Sequence, residues 1–213
     1  MILQARGLLF DNDGVLVDSM GTVDGSWGKW SQEFSPGFKI SYAQHGKRAS
    51  EIVRSLVSED NYEQALERIN QLELDLVHLT TAMPGARQLL EALEPGSWTV
   101  VTSAGRELGK GRLEAAGLPV PELLVSADEV SKGKPDPEPY LMGARKLGLS
   151  AEDCIVFEDA PSGVAAAVAA RAKYVLGVGP EVLDSEADFV LTSLEGISFT
   201  AGELIVPEVN LQR

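Results

Sequence analysis

Short apolar runs at residues 8–11, 98–102, 123–126, 154–158, 174–178 and 189–191 constrain the fold of this chain more than any other feature. Most are apolar at nearly every position rather than at alternate ones. A strand with one wet face alternates, so a continuously apolar strand implies cover on both faces. Segments 86–93, 106–116, 139–147 and 161–170 are helix-like in composition and lie among these runs. Strands alternating with helices predict an α/β protein, a Rossmann-like parallel sheet with helices on either side.

The rhythm breaks once. Residues 19–82 hold no convincing strand, whereas Tyr62, Ala65, Leu66, Ile69, Leu72, Leu76 and Leu79 recur at helical spacing. The expectation is an α/β core of residues 1–18 and 83–213, carrying an inserted helical cap of residues 19–82. Met83-Pro84-Gly85 marks the return of the chain. The alternative, an independent N-terminal helical domain, would orphan the first strand. An insertion there sits over the C-terminal end of that strand, where open α/β sheets bind ligands. Trp27 and Trp30 read as packing inside the cap more than as a substrate platform. Residues 203–213 read as a tail, with a short edge strand at 204–206.

Composition excludes several classes. The 213 residues suffice for a sizeable core, and no apolar run approaches the ~18 residues of a membrane span. The N-terminus lacks a signal-peptide layout. The single Cys154 precludes an intrachain disulfide, fits a reducing cytoplasm and reads as a buried thiol. A formal net charge of −14 argues against nucleic acid or an anionic membrane as partner. It also obliges any anionic substrate to find a local positive site made of a metal, Lys, Arg or a helix N-terminus.

Polar residues gather where the apolar runs end. Asp11 and Asp13 share a strand face and repel one another, although Asp11-Asn12-Asp13-Gly14 taken alone reads equally well as a polar turn. Thr102-Ser103 and Glu158-Asp159 each follow a run and precede a helix, and Lys134 stands ahead of a proline-stiffened turn. Singly, these are a helix cap, helix-dipole acids and a solvated lysine. Together, on one sheet edge, they suit phosphate chemistry.

With DNDGVLVDS, VVTSAG, GKPDPEPYL and VFEDAPSGVAAAVAA in that order, the chain resembles the haloacid dehalogenase superfamily of aspartate-nucleophile phosphatases. The last two segments most resemble phosphatases of small sugars and polyols, acting on glycerol, hexitol or deoxyglucose phosphates. The resemblance implies a Mg²⁺-dependent phosphatase working through an aspartyl-phosphate. By it, Asp11 is the nucleophile and Asp13 the acid–base. Mg²⁺ takes the Asp11 carboxylate, the Asp13 backbone carbonyl and the Asp159 carboxylate, with Glu158 in support. Thr102, the Ser103 amide and Lys134 bind phosphoryl oxygens. His45-Gly46-Lys47-Arg48 resembles a cap segment of glycerol-phosphate phosphatases, which implies that Arg48 or Lys47 reaches the substrate; His45 reads as a turn or packing residue.

Asp13 separates chemistries within that superfamily, because a halide leaves without a proton and an alkoxide does not. Three alternatives stand beside the sugar or polyol phosphatase. One is a phosphoglycolate-type phosphatase. Another is a β-phosphoglucomutase-like enzyme, in which a histidine follows the aspartate matching Asp18 by five residues; here that position is Val23. The third is a catalytically silent phosphate-binding protein. The expected partner is a small phosphate monoester, and the expected state a monomer or weak homodimer. The stretch Gly105 to Gly111 fails as a phosphate loop, Gly177-Val178-Gly179 reads as a strand-end turn, and Asp184, Glu186 and Asp188 as a solvated acidic stretch. Arg171 replaces the glycine with which the family's helix usually ends. A left-handed backbone there costs roughly 1 kcal/mol.

Overall fold

The computed structural model describes residues 1–41, 44 and 46–212. In chain order the strands are β1 (Ile2–Gln4), β2 (Gly7–Phe10), β3 (Val17–Asp18), β4 (Thr81–Ala82), β5 (Trp98–Val100), β6 (Cys154–Glu158), β7 (Tyr174–Val178), β8 (Phe189–Leu191), β9 (Ser198–Thr200) and β10 (Glu203–Ile205). The helices are α1 (Met20–Phe34), α2 (Ala49–Leu56), α3 (Glu59–Leu76), α4 (Ala86–Glu91), α5 (Arg106–Ala115), α6 (Glu138–Lys146) and α7 (Pro161–Ala169).

A parallel sheet of order β5-β2-β6-β7-β8 forms the centre. Phe10 lies opposite both Val100 and Phe157, and its ring stacks on Phe157 with centroids 4.7 Å apart. Successive residues face opposite layers. Leu8, Phe10, Ile155, Phe157 and Leu176 pack with Leu89 and Leu90 of α4. Leu9, Val156, Val175 and Val190 pack with Tyr140 and Ala144 of α6 and Val164 and Ala167 of α7. Both faces are covered, which is why the runs are continuously apolar. Each large buried side chain contributes about 1.5–3 kcal/mol.

Helices α1, α2 and α3 assemble a separate apolar cluster from Trp27, Trp30, Ile52, Val53, Ala65, Ile69 and Leu72. Trp30 is fully buried, and its indole N–H donates to the Ala65 carbonyl at 2.8 Å. Short strands β3 and β4 pair antiparallel, so the chain leaves and re-enters the α/β layers side by side. Among the described residues no helix is long and apolar enough to cross a membrane.

Two readings of the sequence need correction. Residues 123–126 do not form a strand. Their contact with β5 is an isolated bridge, Val101 to Val125, because Ser126 already caps the 3-10 turn Ala127–Glu129 with the reciprocal bonds of a capping box. Nor is the C-terminal stretch a tail with an edge strand. β10 is the middle strand of an antiparallel sheet of order β1-β10-β9, and it buries Leu204 in the main core. Arg171 takes the left-handed conformation, with φ of 59°. Cys154 is buried, and that burial pushes its thiol up to about 12.

Candidate active site

Chain geometry puts the predicted polar residues together at the C-terminal edge of the parallel sheet. Asp11 directly follows β2, Thr102 and Ser103 lie just past β5, Glu158 ends β6 and Asp159 follows it. Parallel neighbours all point their C-terminal ends the same way, so residues distant in sequence converge. A cavity of about 390 Å³ opens there between the sheet edge and helices α1–α3. Asp11, Asp13, Ser103, Asp159, Lys47 and Arg48 all line it. Thr102, Lys134 and Glu158 stand behind that wall, buried.

Lys134 is the hub of this buried layer. Its ammonium donates to Asp11 Oδ1 at 2.6 Å, to Glu158 Oε1 at 2.7 Å and to the Val101 carbonyl at 3.2 Å. Those three contacts use all its protons. Glu158 is fully engaged as well, accepting from the Tyr140 hydroxyl at 2.9 Å through Oε1 and from the Ala160 amide at 2.9 Å through Oε2. Tyr140 is itself buried, and burial drives its hydroxyl well above the usual tyrosine range.

The carboxylates are crowded. Asp11, Glu158 and Asp159 bring ligand oxygens within 4.8 Å of one another. Burial pushes Asp11 up to about 7, Lys134 pulling it down and Glu158 and Asp13 pushing it further up. Burial, then the charges of Glu158 and Asp11, hold Asp159 well above the ordinary carboxylate range. Gly14, at φ of 80°, lets the chain pass against Asp159, whose carboxylate would collide with any Cβ there. Oxygen-only donors under such mutual repulsion suit a hard divalent cation, whose charge removes the penalty. Asp11 and Asp159 are the natural carriers. Glu158, with both oxygens bound by the protein, suits a supporting place.

Loops fix the rest. Thr102 Oγ1 accepts from the Ala104 amide at 3.1 Å, and Ser103 Oγ donates to the Gly46 carbonyl at 2.6 Å, pinning the segment before α2 to the sheet edge. Arg48, singled out for substrate contact, spends its guanidinium elsewhere. It donates to Glu51 and to the Val130 and Ser131 carbonyls, all within 3.2 Å, and so grips the loop that leads to Lys134. Lys47 stays exposed on the cavity lining. His45 lies outside the described residues. Trp27 packs in the helical cluster and also borders the cavity.

The sequence reading missed Arg112, Glu73, Tyr140 and Ser19. Arg112 of α5 is buried, with one nitrogen 3.0 Å from Asp13 Oδ1 and another 3.1 Å from Glu73 Oε1 of α3. Ser19 donates to the same Asp13 oxygen at 2.6 Å. Arg112 follows directly on the stretch set aside as a failed phosphate loop. The available signal was its glycines: Gly109 lets α5 approach Thr102 closely, and its carbonyl accepts from buried Asn12 at 3.2 Å.

Comparison with known proteins fits this geometry. Residues 5–171 match the haloacid dehalogenase-like hydrolases. Hexitol phosphatase A of Escherichia coli K12 is 36% identical over 216 residues, covering 96% of this chain and 100% of that protein. Glycerol-1-phosphate phosphohydrolase 2 of Saccharomyces cerevisiae is 31% identical across 81% of this chain and 74% of its own length. Among solved structures, a hydrolase from Pseudomonas syringae superposes with a TM-score of 0.76 at 27% identity, over 88% of this chain and 93% of that one. A β-phosphoglucomutase from Clostridium difficile, 23% identical, shares the fold with a TM-score of 0.77 over 89% of this chain and 92% of its own.

Proposed function

The chain belongs to the haloacid dehalogenase-like hydrolases, and from that premise we propose that it is a Mg²⁺-dependent phosphatase of a small phosphorylated sugar or polyol, with residues 19–82 acting as its substrate-selecting cap. One observation carries the reading. Asp11 and Asp13 line one cavity, Asp11 backed by Lys134 at 2.6 Å and Asp13 by Arg112 at 3.0 Å. Two carboxylates held by different cations have different roles available to them.

Asp11 attacks phosphorus. A bond forms between its carboxylate oxygen and phosphorus while the bond to the ester oxygen breaks, leaving an aspartyl-phosphate. Asp13 gives its proton to the departing alkoxide and then takes one from a water, whose oxygen attacks phosphorus and returns Asp11 to the carboxylate. Lys134 holds Asp11 through Oδ1 and contributes positive charge at the back of the site; a direct bond to phosphate comes by exchange of its longest contact, the Val101 carbonyl. Thr102 keeps a hydroxyl proton to donate, and Ser103 borders the phosphate position through its backbone amide. Asp11, Asp159 and the Asp13 carbonyl would hold the cation, which supplies charge neutralisation for phosphoryl oxygens in a protein of net charge −14.

The polyol preference rests on likeness to proteins named for hexitol and glycerol phosphates and on a cavity of about 390 Å³, ample for one such molecule. Val23 borders that cavity with an apolar side chain where the mutase resemblance calls for histidine. Phosphate release from a panel of hexitol, glycerol, hexose and glycolate phosphates tests the proposal, with Mg²⁺ and with chelator, for the native chain and Asp11→Asn. Mg²⁺-dependent release that disappears in the folded variant is the expected result. Undiminished release by Asp11→Asn removes the nucleophile, and silence of the native chain removes the phosphatase.

A further inference from the structure

If Asp13 protonates the leaving oxygen, the groups that flank Asp13 in the cavity flank the leaving group too. Those groups are Ser19, Arg112 and, through Arg112, Glu73. Arg112 is buried, bridges Asp13 and Glu73 at 3.0 and 3.1 Å, and leaves its Nε without a hydrogen-bond partner. Glu73 reaches it from α3, so the pair joins that helix to α5. Asp13, Glu73 and Arg112 all line the same cavity.

We propose that the Glu73–Arg112 pair is the specificity-determining element on the leaving-group side, selecting a neutral, hydroxyl-bearing alcohol and rejecting one that carries a carboxylate. This rests on the phosphatase reading and deepens it. One guanidinium is shared between two carboxylates, so the trio has no positive charge left for a third anion. Two of the other cations on the lining are already paired with carboxylates. Arg48 pairs with Glu51, Arg106 pairs with Glu129, and Lys47 is exposed. Glu107 and Asp128 add further negative charge to the wall. A hydroxyl both donates and accepts, so it can bond to a carboxylate and a guanidinium at once. A carboxylate in the same place meets like charge, and juxtaposed like charges are a strong means of rejection. A site built to hydrogen-bond hydroxyls also discriminates against analogues that leave its buried groups unpaired.

A purely structural ion pair joining α3 to α5 makes a different forecast, because its loss weakens all substrates alike. Glycerol 3-phosphate and 3-phosphoglycerate form the deciding pair. They share a three-carbon skeleton and the position of the ester, and differ in a CH₂OH against a carboxylate. With Mg²⁺, the native chain is expected to favour glycerol 3-phosphate by at least about tenfold in kcat/KM. Glu73→Gln should shrink that ratio about tenfold, chiefly through KM. Glu73→Asp, which keeps the charge, should retain it. A native preference for 3-phosphoglycerate overturns the proposal without need of any variant. So does a folded Glu73→Gln that slows both substrates by one common factor. Silence of the native chain on both compounds and on the wider panel overturns instead the phosphatase reading beneath it.

Discussion

Arg171 stands in a left-handed backbone conformation just past the end of α7. Among the described residues three helices end in the same way: the residue after the cap bonds back three positions and the next residue bonds back five, as at Gly117-Leu118, Gly148-Leu149 and Arg171-Ala172. Two of them use glycine at the left-handed position, with φ of 65° and 70°. The third carries arginine at 59°, and its ion pair to Glu152 spans 3.9 Å with both side chains largely exposed. An exposed pair of that length offsets little. Replacement Arg171→Gly should therefore raise stability by up to about 0.5 kcal/mol, roughly 1 kcal/mol of left-handed strain relieved less the ~0.5–1 kcal/mol of glycine's entropy. A thermal melt reads it. A lower Tm means the arginine is held by contacts that outweigh the strain. Asp11 and Asp13 behave differently at this scale. Their positions were legible because a strand that stops in acids is unusual, whereas their partners were not, because Arg112 and Glu73 look in sequence like ordinary helix charges.

Among elements, α7 sets the sharpest requirement. Its third residue, Gly163, lies so close to β6 that a Cβ would enter the Glu158 carboxylate. The variant Gly163→Ala must displace Glu158 from Lys134 and Tyr140, contacts of 2.7 and 2.9 Å. The expected outcome is a loss of roughly 1–3 kcal/mol, the usual cost of overpacking, together with slower phosphate release. A variant with native Tm and native turnover would mean that Glu158 can swing aside freely. Most of the elements themselves were visible in the sequence. β6, β7 and β8 coincide with their apolar runs, and α5 and α7 fall within one residue of the helix-like segments. What failed was the stretch 123–126, where an apolar run of the right composition is cut off by the turn that Ser126 initiates. Local preference could not weigh that competition.

At the scale of the whole molecule, the ends of the chain matter more than their composition suggests. β10 pairs with β1 on one side and β9 on the other, and the N-terminal ammonium donates to the Val206 carbonyl at 2.9 Å. Removing residues 203–213 withdraws Leu204 and Val206 from the interior and leaves two strands unpaired. Destabilisation of about 3–6 kcal/mol is expected, the burial value of two large apolar side chains, seen as a lower Tm or denaturant midpoint. A truncated chain with native stability would restore the reading of this stretch as a tail.

The central parallel sheet, the run of helices between β3 and β4 and the edge at which the acids gather can all be read from the chain's residue pattern. Those properties follow from local periodicity, and a wholly apolar run needs two covered faces whatever packs there. Folding alone brings Arg112 to Asp13 and Glu73 together, sets Arg48 against the loop before Lys134, and makes β10 a middle strand. Each of these depends on residues dozens of positions apart or more, in the case of β10 on its pairing with β1. A charge or a short apolar triplet carries no mark of its distant partner, and the low-dielectric interior gives the pairing its importance only after the chain has folded.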